Sequence, residues 1–494
     1  MDKTIINYLS GKGYTIPPDE TFSHIMEWEE WYQGEVKKFH KYKIYNGLVT
    51  TSCRRYSLNM AKKISEDWAN LLLNEKVAIK AGAFTKELEK IFERNNFRVR
   101  GNQLVELSFA LGTGAFVEYL DAERNVVIDY LRADMIYPLS WDNGDVTECA
   151  FGTTKMIDGK ETVYLQIHRF GDEKAEENPA GYYIENRYVD AKTGKEMEPP
   201  EDIEPLVDTK SERPLFQIIT PNICNNVDFD SPFGISVYAN ALQQLKGCDL
   251  VYDSYINEFI LGRKRIIVPI TAAKIQMEKD GVSAPIFDAD DNIYYAMPDT
   301  RQGDLSLTEI DMKIRAQEHE LAIQRNLDML SMMCGLGTGR YQFNASGVKT
   351  ATEVISDKSD LYQNRQRNSI MIAAAVRGLV KACAFLSGKG DVDVSINFDD
   401  SIIEDTNTTI DTNIKLVQAG LRSKLTAIMC INKCTEAEAK KEMAKIAEDG
   451  QITGQDIDWT EDGNAGENEE DVAEEDDIEE ADEPDREPET GRTS

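Results

Sequence analysis

From Ser231 to Leu386 the sequence reads as three unusually long helices, interrupted first by a small strand-rich insert and then by a Gly-rich loop. Ser231 suits an N-cap and Pro232 the first helical position, and the run then meets no proline until Pro269. Leu242, Leu245, Leu250, Ile256, Phe259 and Ile260 give this first helix an apolar side, Gly262 suits its stop, and Arg263, Lys264 and Arg265 sit where cations favour a helix C-terminus. The second run, from about Ile310 to Met333, carries Ile314, Leu321, Leu327 and Leu330 near helical spacing and ends at Gly335. Thr350 and Glu353 form a capping box opening the third, which runs proline-free to Leu386. Its 37 residues would span about 55 Å, a length that suits a wall or spacer better than a catalytic pocket.

At 494 residues the chain has room for two to four domains. No apolar run of membrane-spanning length is present and the first residues lack a secretory pattern, so neither insertion nor secretion is expected. Eight cysteines are scattered without a CxxC pair, as in reduced, buried thiols. The formal charge of −33 is uneven: Asp458–Ser494 holds eighteen acidic and two basic residues, which leaves −17 upstream. A tail so charged and so poor in large apolar residues is expected to be disordered, solvation being its default role. The acidic balance argues against a sequence-reading DNA binder, which needs a basic footprint, but not against a protein that DNA passes without sticking.

Residues 19–112 read as helical, with Trp28, Trp31 and Tyr32, then Met60, Ile64, Trp68, Leu71 and Leu72, then Phe84, Leu88, Ile91 and Phe92 as core stripes. From Ala115 the period shifts to two, through Ala115–Leu120, Val126–Leu131, Cys149–Phe151, Thr162–Ile167 and Tyr182–Ile184, with turns at Asn143-Gly144 and Asp158-Gly159. An antiparallel meander on helices is expected, followed by a polar linker from Glu198 to Pro214. The insert reads as strands at Arg265–Pro269 and Ile293–Met297 around a helix at Ala272–Lys279. Val392–Phe398 alternates like a strand, and Asn413–Gly420 and Ala437–Glu448 read as helices closing a terminal domain.

Local patterns that could carry chemistry do not assemble into a site. Gly335-Leu-Gly-Thr-Gly339 has neither the lysine nor the preceding strand of a phosphate loop. Leu111-Gly-Thr-Gly114 sits between helix and strand, where glycine permits a turn. Asp288, Asp290 and Asn292 match the start of a calcium loop, but Ile293 replaces its glycine and Asp299 its glutamate. His24, His40, His168 and His319 are not spaced for zinc, and His319 falls on a charged helix face. Neither catalytic residues, a metal nor a cofactor is expected.

The order of elements resembles one family, the portal proteins of tailed bacteriophages, and most closely the branch with long non-contractile tails. Trp28-x-x-Trp31-Tyr32, the run Leu58–Glu75, Ser231-Pro-Phe-Gly-Ile-Ser236 and Lys349-Thr-Ala-Thr-Glu-Val354 carry the resemblance, in this order and with the helix, insert, helix, loop, long-helix layout. It implies an α+β, helix-rich and elongated ring subunit: wing 1–230, stem helices 231–262 and 310–334, clip 263–309, tunnel loop 335–348, long wing helix 349–390, crown 391–457 and tail 458–494. It further implies a virion protein assembled in the host cytoplasm into a dodecameric ring at the capsid vertex. Double-stranded DNA would pass through the ring without sequence reading. Terminase, tail adaptor, major capsid and scaffolding proteins would be its partners, with no membrane involved. The alternatives are another phage structural protein, such as an adaptor or minor head component, and a nucleotide-binding enzyme.

A conduit must not hold DNA tightly, since each phosphate neutralised adds counterion-release affinity, and negative charge repeated around a ring repels the polyanion. Within the expected tunnel loop Arg340 and Lys349 are cationic, while Tyr341, Gln342, Asn344 and Ser346 offer short-lived polar contacts. These residues either brush the phosphate backbone or join loops of neighbouring subunits. Arg263, Lys264 and Arg265 either contact DNA at the stem exit or cap the helix and pair with a neighbour's carboxylates.

Overall fold

The computed structural model describes residues 3–45, 47–157, 159–171, 181–200, 203–262, 265–269, 276–277, 283–284, 294–297, 308–310, 313–342, 359–398, 406–432 and 436–453. Two compact units divide the chain, Met1–Asp405 and Thr406–Ser494.

Apolar spacing sets the helices of the first unit. Helix α1 (Lys3–Gly11), which sequence reading left unassigned, buries Ile5 and Leu9, while α2 (Asp19–Tyr32) buries Phe22, Ile25, Trp28 and Trp31. Asp19 and Glu20 lie in the first turn of α2, where negative charge favours the helix dipole. A single turn, α3 (Lys37–His40), leads into a hairpin of β1 (Lys41–Tyr45) and β2 (Thr50–Arg54), and then come α4 (Met60–Leu72), β3 (Ala78–Lys80), α5 (Thr85–Arg94) and α6 (Phe97–Leu111). The all-helical reading of residues 19–112 is therefore corrected at β1–β2 and β3. Around Gly47 the sequence is rich in aromatic and β-branched residues, which fit a pleated ladder better than a helix. Trp68 of α4 stacks on Phe109 of α6 at 5.6 Å between ring centroids, so the two helices share one core.

The shift to a two-residue period marks a real change of structure. Strands β4 (Gly114–Leu120) and β5 (Val126–Arg132) pair antiparallel, and β6 (Ile136–Asp142), β7 (Asp145–Ile157), β8 (Lys160–Phe170) and β9 (Tyr182–Asp190) form a meander. Asn143 and Gly144 have φ of 49° and 86° between β6 and β7, the left-handed pair that a tight hairpin turn demands. Short strands β10 (Glu196–Met197) and β11 (Leu206–Asp208) add to β9, the latter from the linker, while β12 (Phe216–Ile219) joins β4 to make the order β12–β4–β5.

The first long helix, α7, spans Leu242–Leu261 rather than starting at Ser231. Its expected cap and first turns are instead an irregular segment of bends and turns that buries Phe233, Ile235, Val237 and Tyr238 and ends in a single 3-10 turn, Ala239–Ala241. Val237 N–H donates to the Phe109 carbonyl at 2.9 Å and Gly234 N–H to Thr113 Oγ1 at 3.1 Å, and Ser231 Oγ takes only the nearby Phe233 N–H at 3.3 Å. Tertiary hydrogen bonding to the end of α6 thus overrides the local capping signal. The contact is backbone on backbone, since a Cβ on Gly234 would stand 2.5 Å from the Gly112 carbonyl oxygen. Gly234 does not adopt a left-handed φ, so Gly234→Ala is expected to cost about 2 kcal/mol through that contact alone, read as a lower urea midpoint at unchanged slope.

Beyond α7, β13 (Arg265–Pro269) lies between β16 (Tyr294–Met297), to which it is parallel, and β17 (Thr308–Ile310), to which it is antiparallel. The expected helix at 272–279 is contradicted where described: β14 (Gln276–Met277) pairs with β15 (Ser283–Ala284). Because Ile310 is committed to β17, helix α8 begins at Ala316 and runs to Met333. Helix α9 is one unbroken piece from Ser359 to Leu386, while the expected start at Thr350 with its Glu353 capping box lies outside the described residues. Long and apolar enough to cross a membrane, α9 instead buries Ile372, Val376, Leu379, Val380 and Cys383 within the first unit and packs on β12 and β4. Strand β18 (Ser395–Asn397) pairs back to β3, tying this end of the unit to its N-terminal half. In the second unit are α10 (Thr406–Gln418), α11 (Lys424–Asn432) and α12 (Glu436–Thr453).

Candidate functional site

Helices α7 and α8 form an antiparallel hairpin whose contacts run along both. Glu258 pairs with Arg315 at the insert end, with Arg315 Nε donating at 3.0 Å. One turn along, His319 Nδ1 lies 2.7 Å from its own helix's Arg315 carbonyl, an acceptor only, which fixes the proton there and leaves Nε2 to accept from Ser254 Oγ at 3.0 Å. His319 is buried at this crossing, which corrects its assignment to a charged helix face. Gly247 lets the helices close farther along, where a Cβ would meet Asn326 Oδ1 at 2.6 Å.

Two carboxylates of α7 hold its other half against the segment from His40 to Leu58. Asp249 Oδ2 accepts from His40 Nε2 at 2.9 Å and Ser57 Oγ at 3.0 Å, and its Oδ1 accepts from Leu58 N–H at 2.7 Å. His40 Nδ1 accepts the Val36 N–H at 2.8 Å, so the ring proton is on Nε2 and is donated to Asp249. Asp253 takes the Tyr56 N–H at 3.0 Å. Every donor comes from the segment containing α3, the β1–β2 hairpin and the approach to α4, so the direction of α7 is fixed to that segment by buried polar contacts.

The Gly-rich loop starts from an equally fixed root. Gly335 ends α8 in the left-handed region at φ 77°, with its N–H bonded to the Met332 carbonyl and Leu336 N–H to that of Ser331. Trp68 Nε1 donates to the Cys334 carbonyl at 3.0 Å, Asn364 Nδ2 to Gly335 O at 3.1 Å and Ser331 Oγ to Gly337 O at 2.6 Å. Trp68, read as a core residue, therefore also seats the loop. Arg340 and Tyr341 turn back onto α4: Tyr341 OH donates to Asp67 Oδ2 at 2.8 Å, and Arg340 Nη2 lies 3.6 Å from Asp67 Oδ1. Burial, then the Asp67 charge, push the Tyr341 hydroxyl far above its ordinary range, so it stays a donor. Gln342 folds over Gly339. Of the other expected loop residues, Asn344, Ser346 and Lys349 lie outside the described residues, as do Arg263 and Lys264, and Arg265 begins β13. Tyr341→Phe is expected to lower stability by about 1 kcal/mol, measured as a fall in thermal midpoint, because Lys63 remains 2.8 Å from Asp67.

Burial of two ionisable groups, Glu118 and His168, was not foreseen from the sequence. Glu118 on β4 is wholly buried with neither carboxylate oxygen in a well-formed hydrogen bond, and burial raises its pKa from an ordinary 4.5 to about 8 against the weak hydrogen bonding that the Gln217 side chain offers. His168 on β8 is held neutral, its pKa lowered by burial to about 3, with Phe151 and Phe216 edge-on around it and Nδ1 2.6 Å from the Tyr182 hydroxyl. Tyr182 OH also accepts from Leu215 N–H at 3.1 Å. Among the described residues no group of three His, Cys, Asp or Glu could hold a metal ion, and Cys149, Cys248, Cys334 and Cys383 are buried thiols.

The model of a family described as "Phage portal protein, SPP1 Gp6-like" matches residues 18–455. A chain of "Virion of native gene transfer agent (GTA) particle" is 13% identical at TM-score 0.40, the match covering 87% of this chain and 99% of that one. A chain of "Neck of native GTA particle computed with C12 symmetry" is 13% identical at TM-score 0.34, over 75% of this chain and 88% of that one. The corresponding chain of "Neck of empty GTA particle computed with C6 symmetry" is 14% identical at TM-score 0.35, with the same two coverages. No curated protein matches the chain.

Proposed function

The chain belongs to the phage portal proteins, SPP1 Gp6-like, and from that premise we propose that it forms a dodecameric ring at the capsid vertex. Double-stranded DNA enters and later leaves through the axial hole. The observation that carries this reading, besides the family match, is the antiparallel pair α7–α8 with the small sheet of β13, β16 and β17 between them in sequence. Twenty and eighteen residues long, these helices extend about 30 and 27 Å, and the Asp249–His40 and Trp68–Cys334 contacts hold the pair to the wing.

In this reading α7 and α8 are stem helices, the insert between them is the clip that meets terminase and then the tail adaptor, and the segment after Gln342 enters the hole. DNA slides because each subunit is strongly acidic and repels it. Arg340 is drawn towards Asp67 and Tyr341 bonded to it, so they position the loop's root, leaving contact with DNA or with a neighbouring loop to Asn344, Ser346 and Lys349. The chain itself performs no bond chemistry, the motor being a separate partner.

Sedimentation of the purified full chain, followed by negative-stain electron microscopy, tests the proposal. Perforated rings of about twelve subunits are expected. Particles that stay monomeric at every concentration, with and without scaffolding protein, would overturn it.

A further inference from the structure

The β1–β2 hairpin stands out against the rest of this acidic chain. From Glu35 to Arg55 there are six Lys or Arg residues and a single acid, Glu35 itself, in a chain whose formal net charge is −33. Lys41 and Arg54 share that one carboxylate, at 2.9 and 3.8 Å. The far end is apolar and exposed: Ile44 is 47% exposed, Tyr45 68%, Leu48 88% and Val49 59%. Two strands alone bury no core of their own, and an exposed apolar end on a two-stranded ribbon is suited to be a contact surface. Its base is nevertheless fixed. Arg55 stacks on Phe39 and Tyr42 at 4.8 and 4.2 Å, and residues on both sides of the hairpin are tied to α7 through Asp249 and Asp253. The hairpin is thus an arm aimed by the stem helix.

We propose that this arm docks on a second copy of the chain, its cations against that copy's acidic surface and Ile44, Tyr45, Leu48 and Val49 against apolar side chains there. Charge complementarity selects the occupant, because removing the arm's net +5 leaves the rest of each copy more acidic still. DNA would be drawn by the same cations, but Ile44, Leu48 and Val49 at the arm's end are aliphatic and give phosphates nothing to bind. The proposal rests on the ring reading, in which every subunit meets a neighbour, and adds the element that reaches across.

The test places a photo-crosslinking amino acid at position 48 of the full chain and, separately, replaces the tip by Leu48→Ser with Val49→Ser. A cross-linked band of twice the chain mass, growing with protein concentration and weakening with salt, is expected. The tip variant should keep the wild-type thermal midpoint while needing at least tenfold more protein to assemble. Lys37→Glu with Lys38→Glu and Lys43→Glu should shift assembly in the same direction. Tip-variant rings forming at the wild-type concentration, or cross-links to DNA alone, would overturn the docking and leave the ring reading intact. Wild-type chain that neither assembles nor cross-links would overturn both.

Discussion

Replacing Asp249 by alanine is expected to remove about 3–5 kcal/mol of stability, since it deletes three hydrogen bonds to one charged acceptor and leaves their donors unpaired. Three donors lose their acceptor together: His40 Nε2–H, the Ser57 hydroxyl and the Leu58 N–H. His40 cannot turn to water, being buried like Asp249 itself, while Ser57 and Leu58 are half-buried. Asp249→Asn should lose less, its carbonyl still accepting from Leu58 while its amide opposes the His40 N–H. Urea denaturation gives the stability, and limited proteolysis at residues 41–54 should show the hairpin opening earlier in Asp249→Ala than in wild type. A loss under about 1 kcal/mol would mean that the cluster is not what holds α7 to the segment from His40 to Leu58.

A second large effect is expected at Glu118, and its sign is opposite to that of a salt-bridged carboxylate. With the folded-state pKa raised from 4.5 to about 8, both states are protonated below pH 4.5. Between pH 4.5 and 8 the unfolded chain ionises and the folded chain does not, so stability falls as pH rises through this window and the penalty is complete above it. Glu118→Gln removes that linkage. Relative to wild type, the variant should gain about 3–4 kcal/mol on going from pH 5 to pH 8, whatever the amide itself costs at pH 5. A difference between the two proteins that does not change with pH would show that Glu118 is ionised in the folded state or reached by solvent.

Glu118 also shows where sequence reading fails. Ala115-Phe-Val-Glu-Tyr-Leu alternates as a half-exposed strand should, yet β4 is met by α6 and by α9, and Ala115–Glu118 are all buried. Nothing local announces the second cover, because α9 lies some 250 residues away in sequence. Ser231-Pro232 fails for the same reason: the capping signal is sound, but Phe233, Ile235 and Val237 find a buried path along α6 that a helix would forfeit. Signals whose cause is local survived. Asn143-Gly144 turns where left-handed residues are needed, Gly335 ends α8, and the apolar stripes of α2, α4 and α5 are core. The site was legible as an order of elements and not as contacts. Arg340 and Tyr341 looked like free loop residues because Asp67, their partner, is more than 270 positions upstream.

A cryo-EM reconstruction of the assembled ring is the most direct measurement of the central claim. The expected map shows a central hole wide enough for a duplex, α7 and α8 running along its wall, α9 unbroken behind them, and the chain between Gln342 and Ser359 entering the hole. Particles without a hole, or a ring with α7 and α8 at its outer edge, would contradict it.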